Sequence, residues 1–360
     1  MTTTMVRTKV VDCDTHFNQP LALWQPYIED RHRDAITQFV AGLRTKNSSN
    51  LREKMGLAEY EAIKGGDDPL ERLKWMDGEG IDTNVIYPGQ SVVSMMDDPH
   101  AASAACRALN RWAANFASAA PARLKPCMIL PMRWPDHALR ELEFARGLGL
   151  NILFIPPTPP IERHWGDAAL DPVYRELQDK NVVVTFHEFS QVPKGAGHQI
   201  SRESYKDSYP FMYFCGHVVE VQLALMNVIG GGVLERFPRL RVGFVEANIA
   251  WLPGWLALMD NLWGWLSNHK RQPKGTKAMS LTATEFFRRQ CYIVAFPDDA
   301  WVPQCIEHVG EDNVVLCTDY PHPGTTYRMK DTFAQTYPGL SEGTRRKLLG
   351  ANAERILDLR

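Results

Sequence analysis

The sequence predicts an α/β fold, a single (β/α)8 TIM barrel that spans residues 1–360. Eight short apolar runs alternate with helical stretches along the chain. Most of the runs are almost continuously apolar, which is typical of parallel strands that are covered on both faces. Polar residues able to carry chemistry stand at the C-terminal ends of several runs, where barrel enzymes place their active sites.

The predicted strands and helices follow one another as βα units. The strands cover residues 9–14, 83–88, 125–131, 151–157, 181–187, 241–246, 290–296 and 313–319. Two helices are the clearest: residues 69–80 end in glycines, and residues 138–149 carry apolar residues at three- and four-residue spacing before a glycine. Eight such units are enough to close a barrel.

Two segments are too long for ordinary connections. Residues 17–68 are rich in charge, and we expect them to form an inserted lid over the barrel mouth or an oligomer contact. Residues 189–210 are rich in Gly, Pro and Ser and predict an exposed loop at the same end. The tryptophans of residues 251–266 indicate core packing or a subunit contact, and the glycines at 230–232 indicate a helix break.

Composition limits the possible partners. The chain has 40 basic and 42 acidic residues, so its formal net charge of -2 creates no field that would attract nucleic acid or an anionic membrane. No apolar run reaches the ~20 residues that span a bilayer. The 7 cysteines are scattered without a CxxC pair, which is typical of reduced thiols. We therefore expect a cytoplasmic protein that acts on a small molecule.

Histidine and acidic side chains stand at the ends of four predicted strands. Such groups converging across a barrel are the ligands that a divalent cation prefers, and buried carboxylates without a cation would repel one another. The predicted metal ligands are Asp14, His16, His187, Glu246, Asp319 and His322. For His217 the sequence leaves two interpretations open, a residue that lines the pocket or one that caps the following helix.

The first strand shows how two ligands can come from one segment. Asp12, Asp14 and His16 alternate with Cys13 and Thr15, so the first three share one face. Asp14 and His16 can therefore bind one ion at the barrel axis. Asp12 lies one step deeper, and we expect it to accept hydrogen bonds from the backbone or to support a ligand.

Five segments together resemble the amidohydrolase superfamily, in particular the amidohydrolase-related branch that includes aminocarboxymuconate semialdehyde decarboxylase. They are VDCDTHFNQP, ERLKWMDGEGIDTNVIYP, the strand-end His187, GGVLERFPRLRVGFVEANIAWLPGWLALMD and LCTDYPHP. The resemblance spans nearly the whole chain. It implies a barrel whose metal is bound by an HxH motif on strand one, a His on strand five and an Asp on strand eight.

Three of these residues match, and two positions depart from the family pattern. His16, His187 and Asp319 match, whereas Asp14 replaces the first His of HxH and Glu246 stands where the decarboxylases usually place a catalytic His. Carboxylates are harder ligands than imidazoles and add negative charge to the site. A site with these ligands binds Mn or Fe as readily as Zn. We expect one or two divalent ions per chain.

The leading functional hypothesis is a metal-dependent hydrolase or decarboxylase that acts on a small carboxylated, aromatic or cyclic substrate. Asp319, Glu246 and His217 are the candidate catalytic residues. One alternative is a non-haem dinuclear Fe or Mn/Fe oxygenase, because a carboxylate-rich site suits that chemistry. Another is a non-catalytic partner of an active homologue. We expect the chain to form a homo-oligomer, or a hetero-oligomer with a homologous subunit.

Overall fold

The strands form two parallel sheets in the computed structural model, which describes residues 8–46, 64–160, 162–187, 208–268, 279–322 and 325–359. The smaller sheet contains β1 (Val11–His16), β2 (Thr83–Tyr87) and β3 (Leu124–Pro126). The larger contains β4 (Met128–Ile129), β5 (Ile152–Ile155), β6 (Val183–His187), β7 (Arg241–Val245), β8 (Cys291–Ala295) and β9 (Val314–Leu316). The predicted α/β class with parallel strands is confirmed, and every predicted run overlaps a strand.

The third predicted strand is interrupted. Residues 125–131 contain the end of β3 and all of β4, which belong to different sheets. Pro126 has no N–H to donate to a strand ladder, which favours a break at this point. The backbone N–H of Cys127, between the two strands, donates to the carbonyl oxygen of Ile86 at 2.9 Å.

Helices separate the strands along the chain. They are α1 (Leu21–Trp24), α2 (Asp30–Lys46), α3 (Pro69–Glu79), α4 (Pro99–Ala117), α5 (Pro135–Gly147), α6 (Asp171–Asp179), α7 (Tyr209–Tyr213), α8 (Glu220–Gly230), α9 (Val233–Arg236), α10 (Leu252–Ser267), α11 (Ala283–Gln290), α12 (Val302–Val309), α13 (Met329–Thr336), α14 (Glu342–Arg346) and α15 (Asn352–Leu357). Two π-helices cover Phe214–Val219 and Lys347–Ala351, and 3-10 turns cover Gln25–Tyr27, Lys64–Gly66, Ser91–Met95, Ala168–Leu170 and Glu311–Asn313.

Local signals set the limits of the clearest predicted helix. The Asp68 carboxylate accepts hydrogen bonds from the N–H groups of Leu70 and Glu71, which caps the start of α3. Gly80 ends the helix with φ 72°, a left-handed conformation that glycine adopts without steric cost. The helix break predicted at residues 230–232 is present. Helix α8 ends at Gly230, and Gly232 has a left-handed φ of 74°.

Backbone hydrogen bonds join the polar ends of β1 and β9. The N–H of His16 donates to the Tyr320 carbonyl at 2.7 Å, and the N–H of Asp319 donates to the Asp14 carbonyl at 3.0 Å. On the other side of the fold, His187 pairs with Val245, so Glu246 follows one residue beyond β7. The parallel strands therefore bring the predicted ligands to one end of the sheets.

The two long segments are described only in part. Within residues 17–68, α1 and α2 pack against α4, whereas residues 47–63 lie outside the described residues. The same holds for residues 189–207 of the second predicted loop. The lid or oligomer role therefore stays a prediction.

The tryptophans of residues 251–266 differ in burial. The core is contacted in part by Trp251, Trp255 and Trp263, while Trp265 is half exposed.

The seven cysteines are free thiols, and six of them are buried, as the sequence predicts. Among the described helices, none combines the length and the apolar character that a membrane crossing requires.

Gly350 gives a test of how tightly the C-terminal helices hold β1. A Cβ at this position would lie 2.1 Å from the carbonyl oxygen of Lys9, just before β1, so Gly350→Ala forces the backbone apart. We expect the free energy of unfolding to fall by roughly 1–3 kcal/mol. Urea denaturation measures this change.

Gly78→Ala is the matched control. Gly78 lies inside α3, and among the described residues no atom lies within 4 Å of the place that a Cβ would occupy. We expect this variant to be unchanged or stabilised by up to about 1 kcal/mol, because alanine favours helix over glycine. Equal unfolding midpoints for the two variants would contradict the close contact at Gly350.

Candidate metal centre

Six side chains from the strand ends form a ring in which imidazole and carboxylate groups alternate. Asp319 Oδ1 lies 2.7 Å from His322 Nδ1 and 3.0 Å from His16 Nε2. Asp14 Oδ1 lies 3.3 Å from His16 Nε2 and 3.1 Å from His187 Nε2. Glu246 closes the ring, with Oε2 3.4 Å from His187 Nε2 and Oε1 3.9 Å from His322 Nδ1. The structure thus brings together all six residues that the sequence singles out as ligands.

The backbone turns sharply at two of these residues. Asp319 and Glu246 have φ values of 63° and 54°, in the left-handed region that non-glycine residues seldom adopt. Such a conformation costs about 1 kcal/mol or more and tends to occur at functional sites. Glu246 directly follows β7 and Asp319 lies three residues beyond β9, so each turn lets the carboxylate join the ring.

Asp12 lies below the ring and ties β1 to the segment after β9. The N–H of Thr318 donates to its Oδ1 at 2.9 Å, and the Thr318 hydroxyl donates to its Oδ2 at 2.6 Å. Burial raises the pKa of Asp12 to about 7, against the opposing effect of these hydrogen bonds. Asp12 therefore accepts hydrogen bonds from the backbone, as expected from its deeper position.

Arg72 is a buried supporting residue that sequence reasoning missed. Its Nη2 donates to the carbonyl oxygen of His16, and its Nε donates to the Gly65 carbonyl at 2.6 Å. Its guanidinium lies 4.8 Å from the centre of the Tyr320 ring, and Trp75 stacks on that ring at 3.7 Å. Helix α3 thereby fixes the backbone next to two ring residues. Nothing in the sequence distinguishes Arg72 from the solvated arginines of other helices.

The ring carboxylates and imidazoles shift one another's pKa values. Burial alone would raise the pKa of Asp14, but the imidazoles of His187 and His16 hold it below its usual range. For His16, burial would lower the pKa, but Asp14 and Asp319 raise it to about 9. His322 and His16 likewise overcome the effect of burial on Asp319 and lower its pKa. Protons on imidazole nitrogens thus balance carboxylate charge, a role that a cation can take over.

The ring also suits a metal ion because a ligand atom is left over. Among the residues that the structure describes, no group donates a hydrogen bond to the buried Oδ2 of Asp14, which is costly unless another group binds it. Ligand atoms of Asp14, His16 and His187 lie within 4.8 Å of one another, as do those of His16, Asp319 and His322. Each set could therefore offer three ligand atoms to one ion. The two sets share His16.

His217 lies beside the ring, inside the π-helix Phe214–Val219. Its Nδ1 is 3.1 Å from the Glu246 carbonyl oxygen, and its ring stacks on Tyr213 at 4.1 Å. Burial lowers the pKa of His217 to about 3, so the imidazole is neutral near pH 7. Because a carbonyl oxygen only accepts, Nδ1 carries the proton and Nε2 keeps its lone pair. Of the two interpretations that the sequence leaves open, this placement favours a residue of the site.

The chain matches a known family over almost its whole length. The family described as Amidohydrolase matches residues 11–359. The chain belongs to this family. Gamma-resorcylate decarboxylase of Polaromonas sp. is 22% identical over 311 residues, which cover 80% of this chain and 86% of that protein. The 2-amino-3-carboxymuconate-6-semialdehyde decarboxylase of Dictyostelium discoideum is 23% identical over 293 residues, or 81% of this chain and 77% of that protein.

Solved structures share the fold. The 5-carboxyvanillate decarboxylase of Sphingomonas paucimobilis has a TM-score of 0.76 at 20% identity, covering 98% of this chain and 100% of its own. The dihydroxybenzoic acid decarboxylase of Polaromonas sp. has a TM-score of 0.72 at 18% identity, covering 98% of each chain, and contains bound manganese and the inhibitor 2-nitroresorcinol.

The comparisons confirm the predicted superfamily and the branch that contains the decarboxylases. They also agree with the predicted enzyme class, a metal-dependent hydrolase or carboxy-lyase. They do not favour the oxygenase alternative.

Removing His187 tests whether the ring binds a metal. We expect His187→Ala to weaken Mn²⁺ binding at least 100-fold, because the variant removes a ligand nitrogen from the centre of the Asp14 set. The fold should survive, since Val183, Val184 and Phe186 keep β6 buried. Isothermal titration with Mn²⁺ measures the affinity, and circular dichroism checks the fold.

His100→Ala is the control for the loss of a histidine. His100 is exposed in α4 and far along the chain from the ring residues. We expect its Mn²⁺ affinity to equal that of the unmodified chain. Full Mn²⁺ affinity in a folded His187→Ala variant would overturn the assignment of the ring as the metal centre.

Proposed function

We propose that this protein is a metal-dependent carboxy-lyase that removes carbon dioxide from a small aromatic carboxylate. The observation that carries the proposal is the buried ring of alternating imidazole and carboxylate groups at the ends of the parallel strands. The names of the relatives, which are decarboxylases of resorcylate and of carboxymuconate semialdehyde, support decarboxylation over hydrolysis.

In this proposal the two parallel sheets close into one (β/α)8 barrel. Two hydrogen bonds support closure: Cys127, between β3 and β4, donates to Ile86 of β2, and His16 of β1 donates to Tyr320 in the segment after β9. The segment of residues 17–68 would then lie at the same end of the barrel as the ring. The N–H of Phe17 donates to the Tyr87 carbonyl at 3.0 Å, which supports that placement.

We propose that Asp14, His16 and His187 hold one divalent ion, with Asp319 close enough to contribute a carboxylate oxygen. Manganese is the preferred ion in this proposal, because the site is rich in carboxylates and a related structure contains it. When bound, such an ion supplies positive charge that binds and polarises the oxygen atoms of a substrate. The ring's own carboxylates then need fewer protons for charge balance.

Asp319 and His322 are the proposed route for the proton. In decarboxylation the bond from the ring carbon to the carboxylate breaks, carbon dioxide leaves, and the electron pair on the carbon takes up one proton. Asp319 is hydrogen-bonded to His322 at 2.7 Å, and the His322 side chain is 27% exposed while that of Asp319 is 10% exposed. In this proposal Asp319 gives the proton to the carbon and takes up another from the hydrogen-bonded His322.

Glu246 and His217 are proposed to orient groups on the opposite side of the ring. Glu246 Oε2 lies 3.4 Å from Nε2 of His187, and its Oε1 lies 3.6 Å from Nδ1 of His217. These contacts fix the direction of the His187 imidazole.

Product analysis tests the reaction class. The Mn²⁺-loaded protein, assayed with 2,6-dihydroxybenzoate and 5-carboxyvanillate in D₂O, is expected to release carbon dioxide from at least one of them. The product should carry one deuterium at the vacated carbon, because the proton comes from solvent through the protein. Mass spectrometry detects both. Folded, Mn²⁺-loaded protein that releases carbon dioxide from neither compound would contradict the proposal.

Asp319→Asn separates proton transfer from metal binding. The amide keeps the shape of the side chain but cannot carry the proton, so we expect kcat to fall about 10²–10⁴-fold while Mn²⁺ remains bound. Steady-state kinetics and metal analysis give the two readouts. Asp136→Asn, on the exposed first turn of α5, is the control and should keep full activity. An active Asp319→Asn variant would remove Asp319 from the proton route.

A further inference from the structure

We propose that the 3-10 turn Lys64–Gly66 sets the geometry of the metal-binding ring, to which it is joined by Arg72 and Tyr320. This turn is named the Gly65 turn below. It lies in the long segment between β1 and α3, and none of its residues belongs to the ring. The inference rests on the metal binding in the proposed function, but it does not depend on which reaction follows.

Arg72 connects the Gly65 turn to the backbone of a ring residue. Its Nε donates to the Gly65 carbonyl at 2.6 Å, and its Nη2 donates to the His16 carbonyl. Because the guanidinium is planar and rigid, its donors hold the two carbonyls in a fixed relation to each other. A displacement of the turn therefore acts on His16 through a single side chain.

Tyr320 provides a second connection. A Cβ at Gly65 would lie 2.5 Å from the Tyr320 hydroxyl oxygen, so the backbone of the turn packs against the tip of that side chain. The Tyr320 carbonyl accepts the N–H of His16 at 2.7 Å, and Tyr320 directly follows Asp319 of the ring. The N–H and the carbonyl of His16 are thus held by the two residues that contact the Gly65 turn, Tyr320 and Arg72.

The Tyr320 side chain has little room to move aside. The Arg72 guanidinium lies 4.8 Å from the centre of its aromatic ring, and the Trp75 ring stacks on it at 3.7 Å with 15° between the planes. A push on the Tyr320 hydroxyl is therefore transmitted to its backbone, since rotation of the side chain would break both contacts.

The Gly65 turn also contacts the chain just beyond β1. The N–H of Asn18 donates to the Gly66 carbonyl at 2.8 Å. A Cβ at Gly66 would lie 2.5 Å from the Cβ of Asn18, which is two residues after His16. The turn is thus attached to the segments that carry His16 and Asp319.

The burial of Arg72 favours a positioning role over a contribution to stability. Arg72 and Met76 lie four residues apart on the same side of α3, and both are fully buried. Met76 shows that an apolar side chain suits this side of the helix. A buried charge is costly, and a well-packed apolar replacement is often at least as stable. Arg72 offers what an apolar residue cannot, which is a pair of hydrogen bonds to two separate carbonyls.

Gly65→Ala tests the connection without changing any charge. Gly65 has no positive φ, so the added methyl group meets mainly the Tyr320 hydroxyl. We expect Mn²⁺ to bind about 10–100-fold more weakly, the usual effect of disturbing residues that orient metal ligands. Isothermal titration measures this affinity. The visible absorption spectrum of the Co²⁺-loaded variant should change as well, because its bands depend on the positions of the ligands.

Gly42→Ala is the matched control. Gly42 lies in α2 of the same long segment, and among the described residues no atom lies within 4 Å of the place that its Cβ would occupy. This variant should keep the Mn²⁺ affinity and the Co²⁺ spectrum of the unmodified protein. A folded Gly65→Ala variant that keeps both would overturn the inference alone. An unmodified protein that binds no Mn²⁺ would overturn the metal centre as well.

Arg72→Lys tests the other connection without adding bulk. Lysine keeps the charge but cannot hold both carbonyls in one plane, so we expect the same direction of change in Mn²⁺ affinity and Co²⁺ spectrum. Arg107→Lys is the control, because Arg107 makes two hydrogen bonds to Glu141 between α4 and α5, outside the ring. Equal metal binding in the two folded variants would contradict the role of Arg72.

Hydrogen exchange tests the inference without a substitution. Coupling between two sites is reciprocal, so a metal ion in the ring should also stabilise the Gly65 turn. We expect Mn²⁺ to slow amide exchange in residues 64–72 of the unmodified protein and to leave α5 unchanged, as measured by mass spectrometry. Equal exchange of residues 64–72 with and without bound Mn²⁺ would show that the turn and the ring are independent.

Discussion

Burying three carboxylates in one small space is the constraint on which the site depends. Asp14, Glu246 and Asp319 meet within a single ring, and their side chains are no more than 10% exposed. Buried charges are costly unless they are paired or bound to a cation. The alternating imidazoles satisfy this requirement in part, and no group in the described parts of the chain donates a hydrogen bond to Oδ2 of Asp14. We propose that a divalent cation meets the remaining requirement.

The fold serves this constraint by fixing the ends of the strands. Parallel pairing brings the ends of β1, β6 and β7 to one side, and left-handed turns at Glu246 and Asp319 return their carboxylates to the ring. Two deeper contacts then tie the backbone together: Thr318 donates twice to Asp12, and Arg72 donates to the His16 carbonyl. The positions of the ring side chains are thus set by the backbone as well as by packing. Because they are already held in place, little movement of these side chains is needed when a metal binds.

The residues of the ring can be found from the sequence because they depend on local properties. Side chains alternate with a period of two along a strand, and these residues stand at or near strand ends. Asp14 and His16 share a face for this reason, and His187 and Asp319 are the last residues of their predicted strands. The supporting contacts are not local. Arg72 and His16 are 56 positions apart, and Asp12 and Thr318 are 306 apart, so no short pattern links them. The contact of His217 Nδ1 with the Glu246 carbonyl joins positions 29 apart and is likewise not local.

Crystals of the protein grown with Mn²⁺, measured with X-rays above and below the manganese absorption edge, would show whether the ring binds a divalent cation. We expect an anomalous difference peak inside the ring, in contact with Asp14, His16 and His187. A manganese peak elsewhere, with the ring residues joined only to one another, would contradict it.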